Sequence, residues 1–145
     1  MILPDVNVLV YAFNEDARDH ARYRTWLSQT VKAPEPYAIS ELVLSAVVRL
    51  VTNPRILERP ASIDQALELV EGVVAAPNCV RLGPGRRHWS IFTNLCRTAR
   101  VRGGTVTDAY FAALAIESGS EWITADRGFA RFPGLRWRHP LDAVQ

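Results

Sequence analysis

The sequence predicts one α/β domain built on a central, mostly parallel sheet flanked by helices. Three observations predict it. Short apolar segments alternate with longer segments of helical periodicity along the whole chain. No repeat, linker or low-complexity tract divides the 145 residues, so residues 1–145 read as a single domain. Hydrophobic residues make up 48% of the chain, enough to bury a core and too many for disorder.

The elements follow in order. Ile2-Leu3-Pro4 is a short strand running straight into Asp5, and Val6 to Phe13 continues as an apolar helix. Residues 17–31 carry Tyr23, Trp26, Leu27 and Thr30 at i, i+3, i+4 and i+7, the spacing of one helix face. Pro34 and Pro36 break the chain before the strand Tyr37-Ala38-Ile39. Ser40 is an N-cap for a helix from Glu41 to Val51, which Asn53-Pro54 ends. Ser62 caps the next helix, where Ile63, Ala66, Leu67, Val70 and Val74 form an apolar stripe. Val80-Arg81-Leu82 is a strand followed by Gly83-Pro84-Gly85, and Arg86 to Arg100 an amphipathic helix. Gly103-Gly104 marks a turn, after which Thr107 is expected to cap a buried helix from Asp108 to Ser118. Trp122-Ile123-Thr124 and Leu135 to Arg138 supply the last strands.

Composition excludes several classes. Every apolar run is interrupted by charge or proline before it reaches membrane-spanning length. The N-terminus has no basic region followed by an apolar stretch, so the expected location is the cytoplasm. Cys79 and Cys96 are too few for a disulfide framework and too far apart for a zinc site. His20, His88 and His139 are scattered, and no glycine-rich phosphate loop is present. The net charge is only +2, and Lys32 is the single lysine, so arginine carries almost all the positive charge. Arginine grips phosphate bidentately, and any nucleic-acid contact would come from a local patch rather than from overall charge.

Four carboxylates stand out by position. Asp5 follows the first strand, Asp126 follows the strand Trp122 to Thr124, and Glu41 and Asp108 open helices. In a parallel α/β fold, strand ends and helix starts tend to face the same edge, where functional crevices lie. Acids gathered there repel one another and call for a cation. Magnesium or manganese suits them, being hard ions that favour oxygen ligands and water. Each acid also has a plainer role available. Glu41 and Asp108 can stabilise a helix dipole, and Asp126 can serve a turn. Asp5 is harder to explain that way, because an acid between an apolar strand and an apolar helix is costly to bury.

These residues carry a resemblance. Pro4-Asp5-Val6-Asn7-Val8-Leu9-Val10-Tyr11-Ala12-Phe13 resembles the start of PIN-domain proteins. Thr107-Asp108-Ala109-Tyr110-Phe111-Ala112-Ala113-Leu114-Ala115, with Trp122-Ile123-Thr124-Ala125-Asp126-Arg127-Gly128-Phe129, resembles their C-terminal half. Length and motif order are similar to VapC-type ribonuclease toxins of type II toxin–antitoxin pairs, and Leu42 to Arg55 resembles one VapC subgroup. The resemblance implies a PIN fold with strand order 3-2-1-4-5 and a magnesium- or manganese-dependent endoribonuclease acting on single-stranded or loop RNA. It implies Asp5 and Asp108 as principal metal ligands, Asp126 as an outer acid acting through water, and Asn7 and Thr107 as residues orienting the ligands. It also implies a VapB-type antitoxin as partner, and a homodimer. Many such proteins place an acid deeper in the helix that here begins at Glu41. This chain has Ser45 and Ala46 there, and Glu41 is the candidate substitute.

Arg86, Thr93, Arg97 and Arg100 fall near one face of the helix expected over 86–100, and with Arg102 they are candidates to track an RNA backbone. Two rivals differ in kind. Phosphatases of the haloacid-dehalogenase type and response-regulator receivers also begin with an aspartate after the first strand. They need a second acid two positions on or an acid pair, and a catalytic lysine. Here position 7 is Asn, and Lys32 lies far from any strand end. The other rival is a catalytically inactive PIN scaffold that binds RNA or protein.

Overall fold

A computed structural model describes residues 1–143 of the chain. Five short strands form one sheet: β1 (Ile2–Pro4), β2 (Tyr37–Ile39), β3 (Cys79–Arg81), β4 (Glu121–Ile123) and β5 (Trp137–Arg138). Their order is β3-β2-β1-β4-β5 and every pairing is parallel. Six helices flank the sheet: α1 (Val6–Phe13), α2 (His20–Lys32), α3 (Glu41–Val51), α4 (Ile63–Val74), α5 (His88–Ala99) and α6 (Gly104–Ser118). The strand order is the one the PIN resemblance implies.

Parallel strands covered on both faces read as apolar runs, and here Leu3, Ala38, Ile39, Trp122 and Ile123 are fully enclosed. From α1, Val8 and Leu9 close over them; from α3, Val43, Val47 and Val51 do so at helical spacing. The α6 helix is apolar on nearly every side and is buried through Ala109 and Phe111 to Ala115. Phe111 stacks on Trp122 with ring centres 5.3 Å apart, fastening α6 to β4. Tyr37 reaches from β2 to α4, its hydroxyl donating to the Val73 carbonyl at 2.6 Å.

Several boundaries differ from expectation, each for a local reason. The α2 helix starts at His20 rather than 17, because Asp19 takes a left-handed φ of 59°. The α5 helix runs only from His88 to Ala99. Its start is delayed by the preceding loop, whose Gly85 and Arg87 amides donate to the Glu117 carboxylate. The largest revision concerns Thr107. The helix begins at Gly104, so Thr107 lies inside it and caps nothing. Gly103 provides the entry at φ 60°, and the Thr105 hydroxyl accepts from the Arg102 amide at 3.0 Å. On α4 the buried stripe is Ala66, Val70 and Val73, while Ile63 and Leu67 are exposed. Cys79 and Cys96 are free, half-buried thiols. Among the described residues no helix is long and apolar enough to cross a membrane.

Candidate active site

The carboxyl ends of β1 and β4 lie side by side, since Leu3 pairs with Trp122 and Pro4 with Ile123. The Asp5 amide extends this ladder by donating to the Ile123 carbonyl at 2.8 Å. Two loops therefore leave the sheet together. One delivers Asp5 and Asn7, the other Thr124 and Asp126.

Asp5 is buried between them and serves as N-cap of α1, its Oδ1 accepting from the Val6 amide at 2.6 Å. Its Oδ2 accepts from the Thr124 hydroxyl at 2.6 Å and from Asn7 Nδ2 at 3.2 Å. Thr124 Oγ1 also accepts from Asn7 Nδ2 at 3.3 Å and from the Asp126 amide at 3.0 Å. One donated and two accepted bonds use the full capacity of a hydroxyl. Asn7 completes the junction by accepting from the Ala125 amide through Oδ1 at 3.1 Å. Asp126 Oδ1 accepts from the Gly128 amide at 2.8 Å, turning the chain into the 3-10 turn Arg127–Arg131.

A groove of about 480 Å³ opens above this junction. Asp5, Asn7, Thr107, Asp108 and Asp126 all line it. Burial is the main reason that the Asp5 carboxyl is pushed up to about 6; the bonds from Thr124 and Val6 oppose the rise, and repulsion by Asp108 and Asp126 adds to it. Asp108, half-buried in the second turn of α6, is also raised, first by loss of solvent and then by Asp126, with Arg131 opposing. Charge on Asp5 is thus disfavoured by both other aspartates, and charge on Asp108 by Asp126. Among the described residues no three acid, histidine or cysteine side chains close around a single point as ligands to one ion. An all-oxygen, anionic donor set on an open groove still fits a hard hydrated cation, which takes one or two carboxylates and keeps water elsewhere in its shell.

Glu41 is not part of this group, and that corrects the sequence expectation. Its carboxylate is 76% exposed and pairs with Arg81 of β3 at 3.3 Å. The groove is lined instead by Leu42, Ser45, Ala46, Arg49 and Leu50 of α3, at i, i+3, i+4, i+7 and i+8. Glu41 stands one residue, about a quarter turn, round from Leu42, and its position in the first helical turn suits the dipole. Nothing in α3 replaces the missing acid; the groove has Ser45 and Ala46 at that level and Arg49 one turn on.

The arginines expected to track RNA do not form one helix face. Arg86 precedes α5, and Arg100 ends it in a left-handed conformation at φ 49°. Thr93 and Arg97 line a separate depression with Ser90, Asn94 and Pro133. Arg100 and Arg102 are exposed, and none of these four arginines lines the acidic groove. Sequence reasoning passed over Thr124 and Arg49. Thr124 had a signal, since it immediately precedes the Ala125-Asp126 pair at a strand end. Arg49 had none beyond its helical spacing from Leu42.

Residues 2–135 match the PIN domain family. A VapC ribonuclease of Mycobacterium bovis is 46% identical over 142 residues, covering 98% of this chain and 97% of that protein. Ribonuclease VapC25 of Mycobacterium tuberculosis is 36% identical over 140 residues, covering 97% and 99%. Among solved structures, VapBC2 from Rickettsia felis, bound to a DNA fragment from the promoter, contains a chain that superposes with a TM-score of 0.70 at 20% identity. That match covers 96% of this chain and 98% of the other. Sheet order, the three aspartates on one groove and near full-length similarity converge: the chain belongs to the PIN-domain family, in its VapC ribonuclease branch.

Proposed function

We propose that this protein is the toxin of a type II toxin–antitoxin pair, a magnesium- or manganese-dependent endoribonuclease that inhibits translation by cutting single-stranded or loop regions of transfer or ribosomal RNA. The observation that carries this reading is the convergence of Asp5, Asp108 and Asp126 on one open groove, with Asp5 pushed up to about 6. Asp5 and Asp108 would hold the ion, and Asp126 would act from the outer side through water. An ion held by these carboxylates would supply charge to offset that of the phosphodiester and a more acidic water as nucleophile.

The remaining work falls to the protein. Thr124, Asn7 and the Val6 amide fix the Asp5 carboxylate in one orientation and occupy both lone pairs of Oδ2, which leaves one lone pair on Oδ1 for an ion. Thr107 lines the groove one residue before Asp108 on α6, which supports the reading that it orients the metal ligands. Apolar side chains of Val10, Leu42, Ile56 and Phe129 line the same groove as the acids.

Relatives named as ribonucleases at 46% and 36% identity support RNA as substrate, and VapBC complexes among the structural neighbours support a VapB-type antitoxin as partner. A second copy of the chain is the other expected partner. The test uses purified protein and total transfer RNA. With magnesium the RNA is expected to be cut, leaving 5′-phosphates, and the cut to disappear with a chelator and in Asp108→Asn. Intact RNA in the presence of folded wild-type protein and metal would overturn the reading in favour of a non-cleaving scaffold.

A further inference from the structure

The groove of this fold is strongly acidic, yet its proposed substrate is a polyanion. Asp5, Asp108 and Asp126 would repel an approaching RNA strand unless a cationic side chain takes part of its charge. Among the described residues Arg49 is the only basic one that lines the groove, although Arg131 also acts on Asp108. It stands on the same face of α3 as Leu42, Ser45 and Ala46, and the small side chains at 45 and 46 leave the groove open on its N-terminal side. In a helix, long side chains lean toward the N-terminus, which directs Arg49 over that opening.

Its guanidinium is also uncommitted. The arginines held in ion pairs are Arg22, Arg59, Arg81, Arg127 and Arg138. Arg87, Arg131 and Arg136 donate to backbone carbonyls. Among the described residues Arg49 does neither, and it is exposed. A plainer role is available, because it sits in the last turn of α3, where a cation favours the helix dipole. That role does not by itself account for its place on the wall of the groove, beside Ser45 and Ala46.

We infer that Arg49 binds a backbone phosphate of the RNA within the acidic groove, as the groove's own phosphate anchor. This inference rests on the ribonuclease reading above. A guanidinium donates two parallel bonds to phosphate oxygens, and its charge offsets one of the three carboxylates at the moment of binding. The anchor also sets which phosphodiester lies against Asp5 and Asp108, since Arg49 comes from α3 while the aspartates come from the end of β1 and from α6.

The test compares wild type, Arg49→Ala, Arg49→Gln and Arg49→Lys. Cleavage of total transfer RNA with magnesium is expected to fall about 10- to 100-fold in kcat/KM for Ala and Gln, the size of a lost charged hydrogen bond, with partial recovery in Lys. Binding of a mixed-sequence single-stranded oligoribonucleotide is measured in an Asp108→Asn background across a salt series. Adding Arg49→Ala should flatten the slope of log K against log salt by roughly 0.7, the share of one phosphate on a single strand. The manganese-induced rise in melting temperature should survive in Arg49→Gln, which separates lost substrate binding from a collapsed site. Unchanged kcat/KM and salt slope, with only a lower melting temperature, would overturn the inference and leave Arg49 as a helix-end charge. Failure of wild type to cleave would sink the ribonuclease reading instead, and the salt slope in the Asp108→Asn background would still decide whether Arg49 holds phosphate.

Discussion

The Thr124 hydroxyl donates to Asp5 Oδ2 at 2.6 Å across 119 positions of sequence, one of several bonds that join the loops after β1 and β4 into one site. Thr124 is fully buried, and its oxygen simultaneously accepts from Asn7 and the Asp126 amide. Replacing it with valine keeps the shape and removes all three bonds. Thr124→Val is expected to destabilise the protein by about 1–3 kcal/mol, the cost of leaving buried polar partners unmet. It should also raise the Asp5 carboxyl further, because the bond that opposed the rise is gone. Urea melts at pH 7 check the first effect, and the pH at which manganese binds checks the second. Thr124→Ser should sit near wild type on both.

The raised Asp5 carboxyl fixes how stability responds to pH in the absence of metal. Its folded value of about 6 lies above the unfolded value of 3.8, so between these limits the folded state holds more proton. Stability should therefore rise as pH falls from about 6.5 toward 4, and be lowest above 6, by on the order of 2–3 kcal/mol for a shift of this size. Asp108→Asn removes one of the repelling charges. It should raise the melting temperature of metal-free protein at pH 7 and abolish most of the stabilisation that manganese gives. Melting curves with and without manganese at pH 5 and pH 7 read both.

Glu41 gives the contrasting case. Being exposed and paired with Arg81, it should not respond to metal. Glu41→Gln is expected to lower the melting temperature slightly, by the loss of a helix-start charge worth about 0.3–1 kcal/mol, and to leave the manganese shift intact. A manganese shift that shrinks in Glu41→Gln would return Glu41 to the site.

The Tyr37 hydroxyl tests the scaffold apart from the chemistry. It donates to the Val73 carbonyl at 2.6 Å and is pushed up to about 12, chiefly by burial. Tyr37→Phe should cost about 1–2 kcal/mol in urea unfolding, because a buried carbonyl loses its partner. RNA cleavage per folded molecule should be unchanged, since the bond ties β2 to α4 away from the groove.

Much of this protein was legible in order along the chain. Apolar runs of three residues bounded by proline, asparagine and glycine marked the strands, and 3.6-residue spacing marked the helices, because both signals are local. Asp5 was legible as a site residue for a local reason too: an acid wedged between two apolar elements has no inexpensive explanation. The motifs around Asp5, Asp108 and Asp126 then implied the sheet order and the shared groove. What periodicity alone could not fix was the direction of individual side chains. Glu41 and Leu42 are adjacent in sequence, yet a quarter turn of helix sends one to Arg81 and the other to the groove. Thr107 looked like a cap because residue type suggests caps but backbone conformation sets them, and here the positive φ of Gly103 starts the helix four residues before the expected cap, with no side-chain cap bond. Thr124 and Arg49 acquire meaning only when distant strands and helices meet. A hydroxyl becomes a hub and an arginine becomes part of a groove through partners that lie far along the chain, and packing alone brings those partners together.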